Sequence, residues 1–140
     1  MPSKIVYRVS ATATGGRDGH SKTEDGAVDV DLAVPKEMGG PGGGVNPEQL
    51  FATGYAACFL GAVKFYAGQK NVQVPDNSTV TVTVGIGPRE DLGFGLDVGI
   101  KVDLPGLDKD VADDLIAGGH KVCPYSHAIS GTLNVTPVRA

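Results

Sequence analysis

Apolar side chains recur at three- and four-residue steps through Leu50, Phe51, Gly54, Tyr55, Cys58, Phe59, Ala62, Val63 and Tyr66, which predicts one long helix. Its start is marked by Asn46 as cap, Pro47 at the first helical position and Gln49 three residues after the cap, the arrangement of a capping box. It is predicted to run from Pro47 to Gln69 or Lys70, with Gly68 and Asn71 near its end. Apolar residues cover most of its circumference, so most of it must be buried. Cys58 points into that interior.

The other elements follow a two-residue period. Residues 4–14 are rich in β-branched side chains and predict a strand, broken by Gly15-Gly16-Arg17-Asp18-Gly19. Residues 27–34 alternate apolar and acidic positions, as a half-buried strand does, and pair with the first strand in a hairpin that places Arg17 near its turn. Pro35 to Val45 contains Gly39-Gly40-Pro41-Gly42-Gly43-Gly44 and is a loop, either a flexible linker or a segment whose backbone passes close to something. Ser78–Pro88 and Phe94–Leu104 form a second hairpin around Arg89-Glu90-Asp91-Leu92-Gly93, with Leu96, Val98, Ile100 and Val102 on one face. Residues 108–117 predict a second helix, capped by Asp108 and stopped by Gly118-Gly119. Cys123 precedes Pro124 at the start of a short third helix, and Thr132–Val138 is a last strand. The order β-β-α-β-β-α-β makes the chain, residues 1–140, a single α+β domain around a long buried central helix. That helix is more apolar than a two-layer domain requires, which predicts a homodimer with the helix in or near the interface.

Composition narrows the function. The 140 residues carry a net charge of −4, which disfavours nucleic acid. No apolar run approaches the ~20 residues needed to span a membrane, and the amino terminus lacks a signal-peptide pattern, so the expected location is cytoplasmic. A reducing cytosol keeps ordinary thiols free. The only cysteines, Cys58 and Cys123, lie far apart in sequence, unlike a thioredoxin motif or a zinc knuckle. With only His20, His120 and His127 as further soft ligands, scattered along the chain, no metal site is expected.

Cys58 alone is compatible with simple packing, since buried cysteine behaves as a small hydrophobe. Three features point towards chemistry. Glu48 shares the helix with Cys58; Cys123 adjoins a helix start, where a thiolate is favoured; and Arg17 stands in a glycine-rich turn that needs no arginine for its structure. His20 and His127 are expected to be structural or solvent-facing, and Tyr125 to pack near Cys123.

The segments from Asn46 to Phe59, Gly15-Gly16-Arg17-Asp18-Gly19 and Val122-Cys123-Pro124-Tyr125-Ser126 resemble the organic hydroperoxide resistance proteins (Ohr) of the OsmC superfamily. The resemblance covers nearly the whole chain in the same order, including Val28–Leu32 and Thr132–Val138, and Ala-Thr-Ala-Thr-Gly-Gly-Arg-Asp-Gly favours Ohr over its osmotically induced relatives. It implies an intertwined α+β homodimer with two active sites at the subunit interface. It also implies a cysteine-based peroxidase of the oxidative-stress response, in which Cys58 is peroxidatic, Cys123 resolves it in a redox-active disulfide, and Arg17 and Glu48 complete the site. The implied substrates are organic hydroperoxides, including those of fatty acids. No bound cofactor is implied; the reductant is a dihydrolipoyl group, such as dihydrolipoamide, on a lipoylated protein.

Physical chemistry gives those roles content. A thiolate attacks the peroxide bond, burial opposes thiolate formation, and a guanidinium such as Arg17 offsets that penalty, with Glu48 fixing its rotamer. Leu50, Phe51, Tyr55 and Phe59 are the expected apolar lining for an alkyl tail, which gains about 25 cal/mol per Å² buried. Two alternatives stay open: an OsmC-like peroxidase of broader substrate range, and a non-catalytic thiol redox sensor.

Overall fold

Residues Met1–Ala140 are all described in the computed structural model, which forms two compact units, Met1–Leu50 and Phe51–Ala140. In the first unit, strands β1 (Ala11–Thr14), β2 (His20–Thr23) and β3 (Asp29–Asp31) form an antiparallel sheet in the order β1-β2-β3. The sequence reading differs here in two respects. The strand expected over 4–14 is confined to its last four residues, and β1 pairs with β2, not with residues 27–34; Ala11 faces Thr23, while Ser21 faces Val30. Residues 4–10 find no strand partner within this chain, and Ile5, Val6, Tyr7 and Val9 are exposed. β2 is polar, His-Ser-Lys-Thr, so hydrophobic alternation could not reveal it.

The turn between β1 and β2 accounts for its glycines. Gly15 and Gly16 have φ of 69° and 67°, in the left-handed region, and a Cβ on Gly19 would overlap the Thr14 carbonyl. The result is a tight 3-10 turn over Gly16–Asp18 that presents Arg17. The glycine-rich loop also folds back on its own unit: a Cβ at Gly40 would overlap Val34, and the Gly42 amide donates to the Val34 carbonyl at 3.0 Å. Its close backbone approach is therefore to the chain itself. Leu32 and Val45 then pair in parallel and deliver the chain to the next helix.

That helix, α1 (Pro47–Gln69), has the predicted bounds and the predicted capping box. The Gln49 amide donates to Asn46 Oδ1 at 2.9 Å, and the Asn46 amide to Gln49 Oε1 at 3.0 Å. By length and composition α1 is apolar enough to cross a membrane, contrary to the sequence expectation. Tyr55, Phe59, Ala62, Val63 and Ala67 on it are instead packed in the protein core.

In the second unit β4 (Thr79–Pro88) and β5 (Phe94–Asp103) form the expected hairpin, with Val82 opposite Ile100. Val98, Ile100 and Val102 turn inwards and join the α1 residues in one core. The last strand, β6 (Val138–Arg139), is much shorter than Thr132–Val138 and runs parallel to β5. Helix α2 (Lys109–Val122) overruns its expected stop. Asp108 stands at the cap position without a side-chain capping bond. Gly118 and Gly119 lie inside α2 because the helix packs tightly there: a Cβ on Gly118 would overlap the Tyr66 ring, and one on Gly119 would press on Val63. These glycines serve close packing, not termination. Helix α3 (Pro124–Ile129) follows after a single intervening residue, Cys123.

Candidate active site

Within the first unit Arg17 and Glu48 form an ion pair. Arg17 Nη1 donates to Glu48 Oε2 at 2.8 Å and Nη2 to Oε1 at 2.6 Å, a bidentate fork that holds the planar guanidinium in one orientation. Glu48 is the acidic residue in the first turn of α1, where the helix dipole favours a carboxylate. The Arg17 hydrogen bonds are the main cause that holds the Glu48 carboxyl below its usual range, and the same bonds push the Arg17 pKa up. Leu50, expected to line a substrate pocket, is half-buried in this unit.

The two sulfurs lie within the second unit. Cys123 Sγ and Cys58 Sγ lie 3.8 Å apart, and both thiols are free. Cys58 is half-buried on α1, whereas Cys123 is fully buried. Helix α1 positions the first, and the junction of α2 and α3 the second: Cys123 is extended at φ −69° and ψ 124°, closing one helix and opening the next. Burial pushes the Cys58 thiol above its ordinary pKa; the Tyr125 amide opposes this by hydrogen-bonding the sulfur, and the neighbouring Cys123 sulfur pushes it further up.

An aromatic cluster joins α1 and α3. Phe51 meets Tyr55 edge-on at 5.8 Å, and Tyr125 lies 5.7 Å from Tyr55 and 6.3 Å from Phe51 between ring centroids. Phe51 is half-buried and Tyr125 is 40% exposed, so these two retain accessible surface. Tyr55 and Phe59 do not: both are 0% exposed, so as placed here they are packed core and not an open pocket wall. Burial pushes the Tyr55 phenol up.

Two residues that the sequence reading did not place belong to this cluster. Ser126 Oγ, 4% exposed, lies 2.8 Å from Tyr55 Oη and 3.0 Å from His120 Nδ1. The signal available in sequence was spacing, since His120 and Ser126 each stand three residues from Cys123, one helical turn to either side. His20 is paired with Asp29 at 2.6 Å on an exposed sheet, and His127 is exposed on α3. No group of three or more potential metal ligands forms.

The OsmC-like protein family model matches residues 40–138. The organic hydroperoxide resistance protein of Xanthomonas axonopodis pv. citri is 47% identical over 136 residues, covering 96% of this chain and 95% of that one. The crystal structure of OhrB from Bacillus subtilis superposes with a TM-score of 0.88 at 37% identity, covering 97% of this chain and 100% of that one. An organic hydroperoxide resistance protein from Legionella pneumophila superposes with a TM-score of 0.93 at 42% identity, covering 98% and 99%. The chain belongs to the OsmC-like family, among its organic hydroperoxide resistance proteins.

Proposed function

We propose that the protein is a two-cysteine peroxidase that reduces organic hydroperoxides to alcohols. The observation that carries this reading is the 3.8 Å separation of its two cysteine sulfurs, one half-buried and one enclosed. The Cys58 thiolate attacks the distal peroxide oxygen, the O–O bond breaks, and the alkoxide takes a proton to leave as alcohol, giving Cys58–SOH. Cys123–SH condenses with that sulfenic acid, releasing water and forming the Cys58–Cys123 disulfide. A dithiol restores both thiols by exchange, and we assign that role to a dihydrolipoyl group on a lipoylated protein.

Arg17 is the cation in this scheme, offsetting the burial penalty on Cys58 and stabilising the departing alkoxide, and Glu48 orients it. The accessible surfaces of Leu50, Phe51 and Tyr125 suit an alkyl or acyl tail, which favours organic over hydrogen peroxide. The protein acts as a cytoplasmic homodimer with its sites at the subunit interface. Support for the dimer comes from Ile5, Val6, Tyr7 and Val9, an apolar run unpaired within the chain, and from the exposed Phe65 on α1.

Steady-state kinetics test the scheme, with dihydrolipoamide as reductant and tert-butyl, fatty-acid and hydrogen peroxides compared. Turnover with organic hydroperoxides well above that with hydrogen peroxide is expected. A single stoichiometric oxidation without turnover would establish a redox sensor instead.

A further inference from the structure

Each cysteine has a hydrogen-bonding neighbour one helical turn away: Tyr55 before Cys58 on α1, His120 before Cys123 in the last turn of α2, and Ser126 after Cys123 on α3. These three neighbours are themselves joined, Tyr55 Oη to Ser126 Oγ at 2.8 Å and Ser126 Oγ to His120 Nδ1 at 3.0 Å. We propose that His120 and Ser126 are positioning residues for the sulfur pair, holding Cys123 through this chain of hydrogen bonds at the place from which it closes on Cys58.

The chain ties three elements at one point. The Tyr55–Ser126 bond fastens α3 to α1, and the Ser126–His120 bond fastens α3 to the end of α2. Cys123 is the single residue between α2 and α3, so the two bonds set the angle of the junction that carries its sulfur. Closing the disulfide brings the sulfurs from 3.8 Å to about 2.05 Å, so a displacement of the junction by one ångström is a large fraction of the path.

Ser126 also makes the chain directional. A hydroxyl has one proton, so Ser126 donates to only one of its two partners and accepts from the other. When it donates to His120 Nδ1, Tyr55 donates to Ser126; when Nδ1–H donates, the Ser126 proton is free for Tyr55. Either arrangement satisfies the fully buried Tyr55 and the half-buried His120, which an alanine at position 126 would leave without this partner.

This inference rests on the peroxidase reading for its physiological meaning, and closure can be measured without any peroxide. Reduced full-length protein is mixed with dithiobis-nitrobenzoate, an aromatic disulfide. The first aromatic thiolate released reports attack by Cys58, and the second reports closure by Cys123, which displaces the aromatic thiolate from the Cys58 mixed disulfide. Ser126→Ala and His120→Leu are expected to slow the second release about tenfold and the first by no more than about twofold, with His120→Asn, which keeps a polar atom near the Nδ1 position, restoring closure. Should Ser126→Ala fail to fold, the His120→Leu and His120→Asn comparison carries the test. Equal slowing of both releases together with a lowered Tm, unchanged closure in both variants, or no closure by the parent protein would overturn the proposal. In a parallel arm with tert-butyl hydroperoxide, a parent that closes on the aromatic disulfide but ignores the hydroperoxide would refute the peroxidase reading and leave the positioning role standing.

Discussion

The sulfur of Cys123 stands 3.8 Å from that of Cys58, although 65 residues separate them in the chain. Neither thiol is placed by its local sequence; the packing of α1 against the α2–α3 junction brings them together. Burial distinguishes the two sulfurs, and the proposed scheme gives the half-buried one to the substrate and the enclosed one to the second step.

Replacing each sulfur therefore has a distinct outcome. Cys58→Ser abolishes hydroperoxide consumption. Cys123→Ser leaves the first oxidation in place and lets Cys58 proceed to the sulfinic and sulfonic acids. Mass spectrometry of protein treated with stoichiometric and excess tert-butyl hydroperoxide checks this, as added oxygen mass confined to Cys58 in the second variant. A Cys123→Ser protein that stops at the sulfenic acid and turns over normally would remove Cys123 from the mechanism.

In the proposed scheme Arg17 offsets the burial of Cys58, so Arg17→Ala should slow the first oxidation about 10- to 100-fold and move its pH profile upwards. Rapid-mixing kinetics across pH measure both effects. An Arg17→Ala protein as fast as the parent at every pH would show that the guanidinium plays no electrostatic part.

Glu48 gives a stability prediction whose sign follows from its lowered pKa. The folded state binds its proton more weakly than the unfolded chain does, so the Arg17 link stabilises the fold above the ordinary carboxylate range. That contribution is lost as pH falls through the lowered folded value. Glu48→Gln should therefore lower Tm at neutral pH, and the difference from the parent should shrink on acidification. A difference independent of pH would assign the effect to packing.

Glycines at different places on the helices should respond in opposite directions. Gly118→Ala gains helix propensity of about 1 kcal/mol but drives a methyl into the Tyr66 ring, and overpacking of about 1–3 kcal/mol outweighs that gain. Gly61 on α1 is exposed and has no neighbouring atom within 4 Å of an added Cβ, so Gly61→Ala should stabilise by about 0.5–1 kcal/mol. Thermal denaturation of the two variants under one condition provides the comparison. If Gly118→Ala is the more stable of the two, the close approach of α2 to Tyr66 is not a constraint.

Light scattering should find a dimer at micromolar concentration. Val6→Asp, in the apolar run that has no strand partner within the chain, should shift it towards monomer. A monomeric parent protein would refute the interface reading.

Sequence alone determined the elements whose signals are local. Helix α1 was legible to its ends because its apolar period and its Asn46–Gln49 capping box act within a few residues, and the β4–β5 hairpin because alternation and its turn do too. Both cysteines, Arg17 and Glu48 could be singled out by residue type and motif. Tertiary structure alone decided the rest. Polar β2 is held by its neighbouring strands and carries no hydrophobic alternation. The fate of Gly118 and Gly119 depended on what lay opposite them, since the ring of Tyr66 and the side chain of Val63 turn an apparent helix stop into a packing face. Ser126 and His120 became visible only when three helices met, because a hydrogen bond between residues 55 and 126 leaves no trace in local periodicity. The long helix at the centre could be read from its own residues; what its thiol faces could not.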